Sequence, residues 1–362
     1  MSFLKNIFNI RDKPLKGNDD FWRWFQKNER AFFNVVKQEG NIEEGFFSKL
    51  SPKLEELREG YFYLTGMYDD NTVELVITVD GTVKNIVFVE ELISSAPTIT
   101  GWKFTALKPA LNIENVNIEM EGYNFNKNNL NFYADHSSEY PDEIDITIVH
   151  NDFNEDNETT ITNGSYIFLD NYLGELDFVG AIDNVTITGK EEGQSELVPI
   201  EKLKDFLIWR QKEFVEKYDG IRYNTEDDTY SLLEAELENG NAIIAVINTD
   251  LLNWESKASH PWILHIEIPY NGEKTNGMPD DQTRNLLEEI EDKILDELKD
   301  FEGYLHIGRQ TADGLREIYF ACKDYRKPSK VIDQILISYS NEIEMNYDIF
   351  KDKYWQFFNR FN

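Results

Sequence analysis

The sequence has a single cysteine, Cys322, among its 362 residues. One thiol cannot close a disulfide within the chain, and it excludes every zinc site that needs several cysteines. No apolar run approaches the roughly 18 residues needed for a membrane-spanning helix, and the N-terminal MSFLKNIFNIRDK lacks the continuous apolar core of a secretion signal. We therefore expect a cytoplasmic protein that works in a reducing compartment and does not contact a membrane.

Positive charge is also scarce. The chain has 36 lysines and arginines against 68 aspartates and glutamates, so its net charge is −32. A field of this sign repels phosphate backbones, which argues against nucleic acid as a partner. A basic protein is the partner that such a charge attracts, although acidity can also serve solubility alone.

The sequence contains none of the short motifs that mark common active sites. GxSxG, the P-loop, GxGxxG and HExxH are all absent. No cofactor is therefore expected. The absence of a motif does not exclude catalysis, so the sequence leaves open whether the protein is an enzyme.

The apolar periodicity predicts an α+β protein in four parts. These are N-terminal helices at 1–58, a first α+β domain at 59–198, a connecting helix at 199–220 and a second α+β domain at 221–362. The N-terminal part is a helical pair, 19–38 and 42–58. In its first helix Phe21, Trp22 and Phe25 recur near helical spacing, which favours a place in the core over an exposed interaction surface.

The first α+β domain is predicted to begin with a hairpin, from two β-rich runs at 61–67 and 73–79. The region 73–189, which starts with the second of these runs, reads as β-α-β, additional strands and then α-β, with a helix at 166–178. This order resembles a ferredoxin-like βαββαβ unit with an inserted hairpin.

The second α+β domain has the clearest pattern. Its predicted strands are 262–268, 304–310, 317–322 and 343–349, and its predicted helices are 280–299, with the acidic residues outward, and 328–339. Their order is β-α-β-β-α-β, the split βαβ arrangement of a ferredoxin-like fold, in which both helices cover one sheet face. Two further β-rich runs, 230–237 and 242–248, predict a hairpin before it.

Strict alternation along these strands predicts which side chains face the helices. The side chains predicted to face away from the helices are His265, Glu267, Tyr304, His306, Glu317, Tyr319 and Lys323. Leu305, Ile307 and Cys322 are predicted to face the helices, which excludes a catalytic pair of Cys322 and His306. The polar face either packs on the N-terminal half or a second subunit, or binds a small ligand or peptide.

A metal bound by His265, His306 and Glu267 is conceivable on that face. No metal site is predicted, however, because spacing alone does not bring three ligands to one point.

A basic island interrupts the acidity of the chain. Residues 309–330 carry six cations and three acids, and three of the cations stand near the predicted start of a helix, where free backbone N–H groups favour anions. Pairing of these cations with nearby acids is the alternative. Together with the two histidines, the candidate ligand-binding or anion-binding residues are Arg309, Arg326, Lys327, Lys330, His265 and His306.

Several runs in the C-terminal part occur in the order found in one bacterial family. They are KASHPWILHIEI, GMPDDQT, GYLHIGRQT, REIYFACKDYRKPSKV and YDIFKDKYWQFF. Over residues 220–362, approximately, the sequence resembles the domain of unknown function 695 family, for which no catalytic residue is established. Upstream, WKFTALKPA, IFLDNYLGELDF and PIEKLKDFLIWRQKEF resemble the companion region of longer members. Some related proteins pair the domain with one similar to the regulator of ribonuclease activity B, which implies a regulatory or protein-binding role.

Three functions are compatible with these observations. The first is a binding or regulatory protein that engages a basic protein partner such as a nuclease. The second is a small-molecule or anion-binding protein, or an unrecognised hydrolase, that uses the C-terminal domain. The third is a structural module that forms a homodimer through the polar sheet face.

Overall fold

The computed structural model describes residues 14–190 and 196–361, so the N-terminal segment inspected for a secretion signal and residues 191–195 lie outside the described part. The chain divides between Pro109 and Ala110 into two compact units. Helices and strands are both well represented, which confirms the α+β class. Among the described residues no helix is long and apolar enough to cross a membrane. The predicted limits at 58/59, 198/199 and 220/221 remain predictions.

The first unit combines helices with a three-stranded sheet. Its elements are α1 (Asn18–Lys37), a π-helical segment (Glu43–Phe47) continuing into α2 (Ser48–Leu57), β1 (Phe62–Asp69), β2 (Thr72–Thr78), α3 (Val83–Ser94) and β3 (Trp102–Ala106). The sheet order is β1-β2-β3, with β1 antiparallel and β3 parallel to β2. Phe21, Trp22 and Phe25 are buried, as predicted, because α1 packs against Trp102 and Phe104 of β3.

The second unit begins with a smaller sheet and its helices. The elements are β4 (Ile118–Met120), β5 (Tyr123–Phe125), β6 (Leu130–Asp135), β7 (Asp145–His150), α4 (Glu158–Leu173), α5 (Glu175–Ala181), β8 (Asn184–Thr188), β9 (Val198–Pro199) and α6 (Leu203–Tyr218). β4 pairs with β5, and the other strands form a sheet of order β8-β7-β6-β9. Leu203 and Leu207 place the predicted connecting helix, α6, in the core of this sheet.

The C-terminal sheet has six strands in the described residues, in the order β10-β11-β13-β14-β12-β15. The elements are β10 (Tyr230–Glu236), β11 (Ala242–Asn248), α7 (Thr249–Leu252), β12 (Trp262–Pro269), α8 (Asp281–Glu297), β13 (Tyr304–Ala312), β14 (Leu315–Cys322), α9 (Arg326–Tyr339) and β15 (Asn346–Lys351). From β12 onward the connectivity is β-α-β-β-α-β with antiparallel pairing throughout. The predicted hairpin, β10 and β11, extends the same sheet at β13.

The predicted ferredoxin-like unit over 59–198 is not confirmed. Its strands lie in separate sheets, β1 to β3 in the first unit and β6 to β9 in the second. A period-2 pattern fixes which face of a strand is buried, but it does not specify the strand that pairs with it. The helix predicted at 166–178 is also divided, because Gly174 has φ of 84° and ends α4 before α5 begins.

The predicted facing of β13 is wrong by one residue. His306 lies opposite Phe320 and Leu305 opposite Ala321, which places His306 on the helix side and Leu305 on the other side. The register then shifts between His306 and Gly308. Such a bulge inserts an extra residue, so strict alternation counted along the sequence cannot give the facing on both sides of it. His306 and Cys322 therefore share a face, contrary to the prediction.

A second apolar core covers the sheet face opposite the helices. Its buried members are Ala245, Ile247, Leu251, Leu252, Ile263, Leu305, Ile307, Tyr319, Ala321, Trp355 and Phe358. The last two belong to the segment after β15, which ends in a 3-10 helix, Gln356–Phe361. Part of the polar face is thus covered by the C-terminal segment of the same chain.

Candidate functional site

Two groups of ionisable side chains lie on opposite faces of the C-terminal sheet. The Glu291 cluster, on the helix side, consists of Glu291, His306, Arg309 and Arg316. The His265 cluster, on the other side, consists of His265, Glu267, Glu317 and Arg360. The six candidate residues from the sequence do not form one site, because His265 and His306 point to different faces.

Glu291 is the centre of its cluster and is buried in the contact between α8 and the sheet. Its Oε1 accepts a hydrogen bond from Nη1 of Arg309 at 2.9 Å, and its Oε2 accepts one from Nη1 of Arg316 at 3.1 Å. Arg316 is also buried and donates from Nε to Oγ1 of Thr311 at 2.6 Å. Arg309, one of the predicted anion ligands, is therefore already paired with a carboxylate of the chain.

His306 contributes a neutral ring to the same cluster. Its Nε2 lies 3.7 Å from Oε1 of Glu291, which is too far for a hydrogen bond. This buried nitrogen has no hydrogen-bond partner among the described residues. Burial, aided by the positive charge of Arg309, lowers the pKa of His306 to about 4. The imidazole is thus uncharged near neutral pH.

The His265 cluster is built on alternate positions of β12 and on the strand beside it. His265 faces Tyr319 and Glu267 faces Glu317 across the β12–β14 pair. Nε2 of His265 lies 2.9 Å from Oε1 of Glu317, and Oε2 of Glu317 accepts from Nε2 of Gln310 at 2.6 Å. Burial raises the pKa of Glu317, but the bond to His265 and nearby charges outweigh it, so the pKa is lowered overall.

The C-terminal 3-10 helix closes one side of the His265 cluster. Arg360 donates from Nη2 to the hydroxyl of Tyr319 at 2.7 Å and lies 3.8 Å from Oε1 of Glu317. The ring of Phe357 is 5.4 Å from that of His265. His265, Glu267 and Glu317 remain half-buried, so this group is accessible to a small ligand from the other side.

The start of α9 holds the remaining predicted cations. The backbone N–H groups of Arg326 and Lys327 donate to Oδ1 of Asp324 at 3.0 and 3.4 Å, so an internal carboxylate takes the place predicted for an external anion. The ammonium group of Lys327 pairs with Glu302. Lys330 is exposed in the first turns of the helix.

Arg326 also borders a cleft of about 500 Å³ inside the second unit. Helices α5 and α6 form one wall, and the start of α9 forms the other. The lining residues are Leu173, Leu176, Asp177, Gly180, Ala181, Lys204, Leu207, Ile208, Gln211, Tyr325 and Arg326. Most of this surface is apolar, whereas its polar side chains include two cations and one acid.

A third ionic group joins residues 110–218 to the segment around β15. Lys353 donates from Nζ to Oδ2 of Asp183 at 2.7 Å and to the carbonyl oxygen of Asp142 at 2.6 Å. The hydroxyl of Tyr354 donates to Oδ2 of Asp142 at 2.7 Å. Lys351 lies 2.8 Å from Oδ1 of Asp183, and burial lowers its pKa to about 8. This interface is polar, and Lys353 is buried in it.

Sequence reasoning missed Glu291 and Arg360. Glu291 had a signal, since it shares the inward face of α8 with Leu287 and Ile294, where an acid is unexpected. The expectation that the acids of this helix all point outward is wrong at this position. Arg360 had no comparable signal, because its contact with Glu317 depends on how the last turn folds back over the sheet.

The fold and these groups define an α+β protein with a C-terminal antiparallel sheet that carries an ionic cluster on each face. Residues 231–361 match the model of a family of unknown function, DUF695, and this confirms the resemblance predicted from the sequence over that part of the chain. No curated protein and no solved structure matches the chain. The companion region remains a prediction.

Proposed function

We propose that this is a cytoplasmic binding or regulatory protein that engages a basic protein partner through an acidic and apolar surface on its C-terminal domain. The domain is proposed to be of ferredoxin-like type, extended by the β10–β11 hairpin. The observation that carries the proposal is the uncovered face of that hairpin. A nuclease is one class of partner with the required basic charge.

The hairpin has one covered and one uncovered face. Ala245 and Ile247 belong to the second apolar core. On the opposite face Leu232 stands beside Val246, which stands beside Arg309, so this face continues the helix side of the sheet beyond α8. Leu232 is 61% exposed, so the described chain leaves most of it uncovered.

The charge of this face supports a basic partner. Glu234 and Glu236 follow Leu232 on the same face of β10, and both are exposed. β10 is also the end strand of the sheet among the described residues, so its outer edge offers backbone groups to an added strand. A partner segment that alternates apolar and basic residues could contact Leu232 with its apolar side chains and pair its cations with Glu234 and Glu236.

The test reverses the charge of this face. The full chain, its Glu234→Lys/Glu236→Lys variant and a Glu342→Lys/Glu344→Lys control are immobilised and exposed to cell lysate at rising salt. The test variant and the control variant change the net charge by the same amount. The control acids are exposed near β15, at the other end of the sheet. We expect the first variant alone to lose a basic partner that wild type retains until the salt screens the charges.

Two results would contradict the proposal. Failure of wild type to retain any basic protein at low salt removes the function. Equal loss in both variants shows that only net charge matters and removes the hairpin as the docking surface. Purified cytochrome c is a basic protein for which no specific binding is expected. Its retention by the same immobilised proteins at rising salt measures the unspecific electrostatic attraction.

The cleft beside Arg326 favours a second candidate function, the binding of a small molecule with an apolar body and an anionic head. Arg326 and Lys204 supply positive charge at an otherwise apolar site. Calorimetric titration with decanoate tests this, using Arg326→Gln against an Arg284→Gln control on the exposed side of α8. This candidate is removed if wild type does not bind decanoate, or if Arg326→Gln and Arg284→Gln bind it equally well.

A further inference from the structure

The His265 cluster brings one imidazole and two carboxylates to one point on the sheet. His265 and Glu267 are two positions apart on β12 and share a face, and Glu317 lies directly across from Glu267 on β14. One ligand atom from each of the three residues lies within 4.8 Å of the others. Ligands around one ion at ~2.1 Å lie about 3.4 Å apart, so small side-chain rotations would complete the set.

The charges of these groups are unbalanced without a cation. Glu267 is half-buried, and its side chain makes no hydrogen bond or ion pair with any described residue. It stands directly opposite a second carboxylate, Glu317, and like charges in that position destabilise a sheet. Arg360 offsets part of this charge, but it lies 3.8 Å from Glu317 and donates its short hydrogen bond to Tyr319 instead.

The surroundings of Glu317 also orient it. Gln310 holds Oε2 at 2.6 Å, which leaves Oε1 turned towards His265. A neighbouring amide that fixes a carboxylate in this way is typical of the groups around metal ligands. Phe357 packs against one side of the His265 ring.

We propose that His265, Glu267 and Glu317 bind a divalent transition-metal ion, with Zn²⁺ as the probe. The donor set of one nitrogen and two oxygens suits such ions, and three protein ligands leave a coordination position for water or a ligand. Protons compete with a metal ion for nitrogen and carboxylate ligands. Affinity therefore falls as the pH is lowered.

Isothermal titration calorimetry of the full chain with Zn²⁺, in excess Mg²⁺ to occupy unspecific surface carboxylates, tests the proposal. We expect one tight site, weakened about 10-fold or more by Glu267→Gln or His265→Gln, and about 10-fold by Gln310→Ala through lost positioning. The controls, Glu344→Gln and His136→Gln, change exposed residues and should leave the affinity unaltered. Equal affinity in wild type and Glu267→Gln, or no binding to wild type, overturns the proposal.

Stability separates a metal ligand from a structural residue. Without metal, Glu267→Gln should melt at a higher temperature than wild type, because it removes the repulsion from Glu317. With Zn²⁺ the order should reverse, since only wild type gains the binding free energy. Bound Co²⁺ should also give visible absorption bands that His265→Gln loses. If Glu267→Gln lowers the melting temperature without metal, the residue stabilises the fold directly and the proposal fails.

Discussion

Arg316 and Glu291 form an ion pair with an N–O distance of 3.1 Å in the contact between α8 and the C-terminal sheet, and both side chains are buried. Desolvation makes such a pair expensive to form. Because Glu291 also binds Arg309, the carboxylate connects α8 to both β13 and β14.

Loss of the carboxylate should be far more damaging than loss of an exposed one on the same helix. Glu291→Ala leaves the buried guanidinium of Arg316 without its counter-charge, which we expect to lower the free energy of unfolding by about 3–5 kcal/mol. Glu288→Ala, at an exposed position of α8, should change it by less than about 0.5 kcal/mol. Urea unfolding compares the two, and similar losses would show that the buried pair does not stabilise the domain.

Sequence patterns were sufficient for most elements of the C-terminal domain but not for its site. The strands and helices from Trp262 onward were predicted because strong alternation and helical periodicity are local properties. The sheet face on which His306 lies was not predicted correctly, because a bulge interrupts the alternation of β13. The contact of Arg360 with Glu317 was hidden as well, because long-range packing decides it.

The bulge itself can be tested at Gly308. Its φ is 145°, and an added Cβ would overlap the carbonyl oxygen of Val246 on the neighbouring strand. Gly308→Ala should therefore lower the free energy of unfolding by about 1–3 kcal/mol. It should also displace Arg309, and with it the positive charge at the edge of the hairpin.

Gly180→Ala is the matched control for this change. Gly180 lies in α5, and an added Cβ there would meet no atom within 4 Å. Alanine in a helix should raise the free energy of unfolding by about 0.5–1 kcal/mol. Chemical denaturation distinguishes the two variants by sign. A neutral Gly308→Ala would mean that β13 has a different register from the one described.

His306 should make stability depend on pH. Burial lowers its pKa to about 4 in the folded chain, whereas the unfolded chain protonates near pH 6.5. Between pH 4 and 6.5 the unfolded state therefore binds more protons than the folded state. The stability that the neutral His306 provides is complete above about pH 6.5 and is lost as the pH falls towards 4. The free energy of unfolding then falls by up to about 1.4 kcal/mol per pH unit.

His306→Phe removes this dependence and the unpaired nitrogen together. We expect the variant to be at least as stable as wild type near neutral pH, because a buried polar group without a partner is costly, and to lose less stability in acid. His136→Gln changes an exposed histidine and should follow wild type. Denaturation between pH 4 and 6.5 gives the free energy of unfolding as a function of pH for each protein. If the curves of His306→Phe and wild type are parallel, His306 is not the source of the pH dependence.

Glu143 should act in the opposite direction. Burial, with the charges of Asp145 and Asp183, raises its pKa from 4.5 to about 7. The folded chain therefore holds a proton that the unfolded chain has released, and the stability that this provides is complete below about pH 4.5 and lost as the pH rises through 7.

Glu143→Gln keeps an oxygen that can accept the hydrogen bond from Gln356 at 3.1 Å, but it cannot lose a proton. We expect the variant to equal wild type in acid and to exceed it near pH 8, by less than about 1 kcal/mol because the group is only half-buried. Glu238→Gln, at an exposed position, should not change with pH in this way. Urea unfolding at both pH values decides the matter, since a constant difference between Glu143→Gln and wild type would mean that Glu143 is already ionised in the folded chain below neutral pH.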